Sequence, residues 1–431
     1  MNDFIEELKW RGLIHDSTPG IQDFLGKNKR FAYVGFDPTS DSLHIGSLVP
    51  IMLLAHFQKN GHRPIALIGG ATGMIGDPSG KSLERNLLDE AILKKNQKAI
   101  KKQLSQFLSF DEKLSNHAII LNNYNWMKDF SFLSFIRDIG KHVTVNYMMS
   151  KDSVKNRTSS ESGSGMSFTE FTYQLVQGFD FLFLSRNYEC FIQMGGSDQW
   201  GNITSGMELI RRIDNGKGYA LTCPLITKSD GSKFGKSESG NVWLDSKKTS
   251  AFGFYQYWLN ISDEDAKNFI KIFTFLNKNE IEDIISKHDI EPHNRLLQKR
   301  LASEVTIMVH SKKALENVLH ASKVLFSKNF LEDINMVDEE LFLDIFHGVK
   351  SCDISLGEIN NGIEIIKLLY EKSGFLSSNS AARRSLRENS ISVNKIKVDE
   401  NYILTKKDLI KKKYIVINKG KKKTFIAKII K

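Results

Sequence analysis

Phe31-Ala32-Tyr33-Val34-Gly35-Phe36 runs directly into Asp37-Pro38-Thr39, and then into Ser42-Leu43-His44-Ile45-Gly46-Ser47. The first six residues predict a strand, and Asp37, Pro38 and Thr39 predict the turn that ends it. From His44 to Asn60 apolar residues return at helical spacing and stop at Gly61, which completes one βα crossover. Pro64 to Ile68 predicts a second strand that enters a glycine-rich turn from Gly69 to Gly80. The same alternation continues with a polar helix over 88–108 and a strand over 118–121. A helix over 168–184, a strand over 189–194 and a helix over 199–213 follow. Strands alternating with helices predict an α/β fold with a Rossmann-like parallel sheet.

The pattern divides the chain further. Residues 1–226 read as the Rossmann-like domain and 227–245 as an exposed Ser, Gly and Lys loop. Residues 246–330 read as helices, with Pro292 suited to a helix start. A less regular linker over 331–356 precedes a small basic α+β domain over 357–431. That last segment holds 18 Lys and Arg against 7 Asp and Glu, more than the whole chain's formal +10. The first 356 residues are therefore close to neutral, and the basic end points to a polyanion such as RNA rather than to general solubility.

Other classes are excluded on composition. No apolar run approaches the roughly 20 residues that span a bilayer. Met1 to Trp10 lacks the basic start and apolar centre of a signal peptide. Cys190, Cys223 and Cys352 lie far apart and form no metal-ligand spacing, so no protein-bound metal is expected and a cytoplasmic location is.

Several residues carry chemistry. In an open parallel sheet ligands collect outside the carboxyl ends of the strands, which places Gly35, Asp37, Thr39, His44 and Gly46 around a ligand. A helix starting near His44 aims free N–H groups at an anion; His44 alone reads equally as a capping histidine. Gly80, Lys81 and Ser82 resemble the end of a P-loop, but Ile75 stands where that motif needs glycine. Asp77 is either a turn former or a carboxylate for a cation. Tyr173, Gln177 and Asp180 share one helix face, either towards solvent or towards a polar pocket. Gly195 to Asn202 combines two glycines with helix-capping residues, which suits close approach of a ribose or an amino acid. Lys233 and Lys236 lie three apart between glycines, suited to a triphosphate.

Together these segments resemble the bacterial tyrosyl branch of the class I aminoacyl-tRNA synthetases, nearly end to end. Gly35 to Thr39 with Ser42 to Gly46 resembles its first ATP signature, and Lys233 to Ser237 its second, mobile one. Ser47 departs from the pattern, since a second histidine usually stands there. The tryptophanyl branch shares the fold, but Tyr33, Asp180 and the basic end argue against it. The resemblance implies ATP-dependent activation of tyrosine to tyrosyl-adenylate and its transfer to tRNA. It implies that Tyr33 and Asp180 bind the phenolic hydroxyl, and that Asp77, Tyr173 and Gln177 bind the ammonium group. It implies that Gly35, Asp37, Gly46, Ser47, Gly196, Asp198 and Gln199 surround ATP. Thr39, His44, Lys233 and Lys236 would act on the phosphates, with Mg2+ arriving on ATP. Residues 246–330 would lie on the anticodon side, Arg383, Arg384, Arg387 and Lys395 would contact RNA, and the protein would be a homodimer.

Overall fold

The computed structural model describes residues 3–79, 89–158, 165–231, 234–237, 240–325, 327, 329–346, 349–420 and 423–430. By internal contacts it resolves into two units, residues 1–248 with 257–309, and residues 249–256 with 310–431.

The first unit is built on a six-stranded sheet. Its strands are β1 (Asp16–Ser17), β2 (Phe31–Phe36), β3 (Arg63–Ile68), β4 (Ile119–Asn122), β5 (Ile192–Gly196) and β6 (Tyr219–Cys223). Their order is β1-β6-β5-β2-β3-β4, parallel except for β1. β2 and β3 pair over their full length, from Phe31 opposite Arg63 to Phe36 opposite Ile68. β2 meets β5 at Tyr33 opposite Gln193. The chain thus turns to opposite sides of β2, and the crevice at that switch is where such sheets bind ligands.

Period-two alternation along β2 sets its two faces. Ala32, Val34 and Phe36 take one face, and Tyr33 and Gly35 the other. The helix Leu48–Lys59 is apolar almost all round and is buried accordingly, from Leu48 to Phe57. Pro50 is its third residue, within the first turn, where a missing N–H costs no helical bond. Tyr33, Ile65 and Leu67 form a core with Phe179, Phe181 and Leu182 of the long helix Phe168–Tyr188. Ser167 caps that helix by accepting from Glu170 N, and the ion pair Arg157–Glu170 is buried beside it.

The helix Phe168–Tyr188 packs on Trp200–Asp214 through glycines. A Cβ on Gly206 would lie 2.8 Å from Phe181 Cβ, and one on Gly178 3.2 Å from Gly206 N. The helices approach so closely because neither glycine carries a side chain.

The helices expected over 246–330 appear as Ala251–Leu259, Asp263–Ile272, Lys278–Ile290, Leu296–Val309 and Lys312–Leu325, and are shared between the two units. Pro292 opens a short 3-10 turn. Residues 331–356, expected as a linker, instead carry the helices Phe330–Met336 and Glu339–Ile345. They also supply the strand Ser351–Ser355, which pairs in parallel with Lys423–Ile430. The C-terminal sheet therefore begins ahead of the expected boundary at 357. Its remaining strands are Ile391–Val393, Ile396–Lys397 and Tyr414–Lys419, around a core that includes Ile354, Ile415, Ile417 and Phe425.

Gly206→Ala is expected to cost about 1–3 kcal/mol by overpacking the two helices, read by urea unfolding. A change near zero would show that the helices separate freely.

Candidate active site

A cleft of about 410 Å³ opens at the carboxyl ends of β2, β3 and β5. Gly35 faces it, and a Cβ added there would meet nothing within 4 Å, so any larger residue would project into the cleft. Tyr33, Asp37, Thr39, His44, Gly46, Ser47, Asp77, Tyr173, Gln177, Asp180, Gly196, Asp198 and Gln199 all line it. The residues singled out on separate segments are thus brought together.

One end of the cleft is deep. Tyr33 is buried and its hydroxyl finds no hydrogen-bond partner among the described residues. Burial raises its pKa well above the ordinary phenol value, and the charge of Asp180 adds to the effect, so the phenol keeps its proton. Asp180 is 1% exposed and accepts from Asn123 Nδ2 and Trp126 Nε1, each at 2.9 Å. Burial outweighs these two bonds and lifts its pKa to about 7.

Asp37 forms the adjoining wall. Its Oδ1 accepts from Thr72 Oγ1 at 2.6 Å and its Oδ2 from the Tyr173 hydroxyl at 2.8 Å. Burial raises the Tyr173 phenol well above its usual value, followed by the charges of Asp37 and Asp77. Gly69 is required beneath this wall, because a Cβ there would fall 2.0 Å from Asp37 Oδ1. Asp77 accepts from Gln199 Nε2 at 2.7 Å, and from Ser79 N and Asn202 Nδ2. Gln177 donates to Gln199 Oε1 at 3.3 Å, while its own Oε1 is buried without a partner among the described residues.

The other end is open. Thr39 N donates to Asp37 O, which tightens the turn after β2. His44 caps the 3-10 turn Ile45–Ser47: its Nδ1 accepts from Gly46 N at 3.1 Å. In the neutral ring that bond places the proton on Nε2. A Cβ on Gly46 would come within 2.8 Å of His44 Cε1, so glycine is needed for this ring position. Ser47 stands at the N-terminus of Leu48–Lys59 and makes no capping bond through its hydroxyl. Phe234 reaches the cleft from the loop, packed among Tyr257, Trp258, Phe269 and Phe273. Gly235 N donates to the Tyr257 hydroxyl at 3.1 Å. Lys236 starts the short strand Lys236–Ser237, of which the backbone alone is described. Lys233, like Gly80, Lys81 and Ser82, lies outside the described residues.

In the second unit Arg383, Arg384 and Arg387 line one surface depression with Ser380 and Glu388. They stand on the helix Asn379–Arg387. Lys395 is not among these lining residues; its ammonium packs over the Phe330 ring, 5.8 Å from the centroid. Among the described residues no group of three or more His, Cys, Asp and Glu could hold a metal, and no helix is long and apolar enough to cross a membrane.

Sequence reasoning passed over Thr72, Asn123, Trp126 and Gln193. Asn123 and Trp126 follow the carboxyl end of β4, and that position was the available signal.

An open parallel sheet with this cleft at its switch point is an architecture that binds a ligand at the strands' carboxyl ends. The family described as tRNA synthetases class I (W and Y) matches residues 27–327. A tyrosine–tRNA ligase SYY-like C-terminal domain matches residues 342–427, so the chain belongs to the tyrosine–tRNA ligase family. The chain is 59% identical to a tyrosine–tRNA ligase of Flavobacterium psychrophilum over 431 residues, covering all of both chains. It is 56% identical to that of Porphyromonas gingivalis over 98% of this chain and 99% of the relative. A truncated mitochondrial tyrosyl-tRNA synthetase of Aspergillus nidulans superposes with a TM-score of 0.67 at 32% identity, over 76% of this chain and 95% of that one.

The raised pKa of Asp180 fixes a sign. Folding retains its proton, so its contribution is complete below the ordinary value of 3.8 and is lost as pH climbs through about 7. Asp180→Asn is therefore expected to gain stability relative to the parent across that interval, read by denaturation at a series of pH values. A difference independent of pH would refute it.

Proposed function

We propose that the chain activates L-tyrosine with ATP to tyrosyl-adenylate and then transfers the tyrosyl group to the 3′ end of tRNA(Tyr). The observation that carries this reading is the pairing of an unpartnered, protonated Tyr33 hydroxyl with the buried Asp180 carboxyl at the deep end of the cleft. A phenolic hydroxyl entering there accepts from Tyr33 and donates to Asp180. Phenylalanine would leave the buried Tyr33 hydroxyl unpaired, at about 1–3 kcal/mol, and would offer Asp180 no donor.

Asp77, Tyr173 and Gln177 hold the ammonium group, through a carboxylate, a phenolic oxygen and the unpartnered Gln177 Oε1. Gly35, Asp37, Gly46, Ser47, Gly196, Asp198 and Gln199 surround the adenosine and its phosphates. The tyrosine carboxylate attacks the α-phosphorus of ATP in line, and the bond to the β-phosphate oxygen breaks. No protein nucleophile takes part. His44 presents its Nε2 proton to the phosphates beside Thr39, and Lys233 and Lys236 supply positive charge as it develops on the leaving pyrophosphate. Mg2+ enters bound to ATP. In the second step a terminal ribose hydroxyl of tRNA attacks the tyrosyl carbonyl, and AMP leaves.

Arg383, Arg384 and Arg387 contact the RNA backbone, and residues 246–330 lie on the anticodon side. The protein acts in the cytoplasm as a homodimer. Exposed Phe132, Leu133, Ile136 and Val145 support pairing with a second copy.

Amino-acid-dependent exchange of pyrophosphate into ATP tests the first step. Exchange is expected with tyrosine and not with phenylalanine or tryptophan; exchange with tryptophan would overturn the roles given to Tyr33 and Asp180. Replacing the three arginines by alanine is expected to leave exchange intact and weaken tRNA binding. The slope of log affinity against log salt should fall by about 2–3 if three phosphate contacts are lost, and an unchanged slope would remove them from the interface.

A further inference from the structure

His44 is held by more than its own turn. The segment after the lysine loop runs antiparallel to Leu43–Ile45, with Ile45 N donating to Val242 O and Leu244 N to Leu43 O, each at 2.9 Å. His44 and Trp243 face each other across this pairing. Their rings meet edge to face, with centroids 6.3 Å apart and planes at 72°. Neither ring is buried in the core, so this contact is a local support and not part of the general packing.

Trp243 is fixed in turn. Lys248 Nζ lies over the indole, 4.6 Å from the ring centroid, and the same ammonium binds Asp41. Lys95 approaches the other Asp41 oxygen at 3.4 Å. The bond to Lys248 is the main reason that Asp41 sits below its usual carboxyl range. Asp41 belongs to the loop that leads into His44, so the connection closes on itself: Asp41, Lys248, Trp243, His44. Beneath it, Asp245 N donates to Ser42 Oγ at 3.2 Å. Gln103 binds both Ser42 Oγ and Leu43 N. Val242 N donates to Gly235 O, which joins this pairing to the lysine loop.

We infer that Trp243 is a positioning residue for adenylate formation, holding the His44 ring through the indole and through the strand pairing on which both residues stand. Nδ1 is engaged by Gly46 and the ring meets the Trp243 indole edge to face, so its orientation is supported from two sides. The inference rests on His44 contacting the ATP phosphates, as proposed above. A ring free to swing would still bind ATP, but would spend less time aligned with the charge that develops on the leaving phosphates. The loss should therefore fall on the rate and not on tyrosine binding.

The test is pyrophosphate exchange by the full-length chain carrying Trp243→Leu, Trp243→Phe, His44→Ala, or Trp243→Leu with His44→Ala. Trp243→Leu is expected to lower kcat about 10-fold while KM for tyrosine stays within about 2-fold. Trp243→Phe, which keeps an aromatic edge, should recover most of the rate. In the His44→Ala background Trp243→Leu should cost nothing more, because the residue it positions is gone. An equal loss in both backgrounds overturns the inference, as does a loss carried by KM for tyrosine. A melting temperature lowered alike in the Leu and Phe variants, with the rate lost in both, also overturns it. If His44→Ala exchanges as fast as the parent, the phosphate contact itself fails and takes this inference with it. A slow His44→Ala without coupling to Trp243 removes the inference alone.

Discussion

The half-buried Asp37 and the buried Asp180 are joined by one chain of hydrogen bonds, and the site depends on that chain. Thr72 Oγ1 donates to Asp37 and accepts from Asn123 Nδ2, which also donates to Asp180. Tyr173 closes on Asp37 and Trp126 on Asp180. Asn123 Oδ1 accepts from Ala71 N, which ties in the turn after β3. The ends of β2, β3 and β4 and the middle of the long helix are thereby fixed to one another. In a low-dielectric interior each bond strengthens its neighbours, and each group left unpaired is costly. A network this complete specifies one arrangement of four segments that are far apart in sequence.

The consequence is a site with two different characters. At the deep end most of the polar groups are buried and bonded to each other. The unpartnered Tyr33 hydroxyl and Gln177 Oε1 stand out against that background. They are groups whose hydrogen bonds remain to be made, which is how a rigid pocket discriminates. At the open end stand a histidine on a short turn and a loop anchored by Phe234 in an aromatic cage. Little of that end is buried.

Much of this was legible in the sequence, and the reasons differ by element. β2 and β3 were recognisable because a strand buried on both faces reads as an apolar run, and because Asp37-Pro38-Thr39 cannot continue it. The helix face of Tyr173, Gln177 and Asp180 was visible as spacing, but spacing could not decide between solvent and pocket; burial of Tyr173 and Asp180 decides it. Asn123 and Trp126 were legible only as residues past the carboxyl end of β4; their bonds to Asp180, 57 and 54 residues away, were not. Ser351–Ser355 was missed for a similar reason. A five-residue edge strand with one buried residue has little pattern of its own, and it forms only because Lys423–Ile430 offers a partner. Lys395 was grouped with the arginines by charge; it lies in the Asn394-Lys395 turn, with both residues at positive φ, and its ammonium packs over the Phe330 ring.

The contrast between the two ends follows from what each must do. Binding tyrosine tightly and equally throughout the reaction gives selectivity, and preformed buried groups do that well. Accelerating the reaction needs interactions that strengthen only as charge moves onto the leaving pyrophosphate. Positive charge locked permanently against the phosphates would stabilise bound ATP and the transition state alike, and would gain no rate. On the roles proposed above, an open end assembled from a short turn and a paired segment can make its closest contacts late. The same division bears on Ser47, the one departure from the first signature noted in the sequence. At an end built from several partial contributions, one weaker donor lowers a sum, whereas at the tyrosine end one lost partner would leave a buried group with nothing to bind.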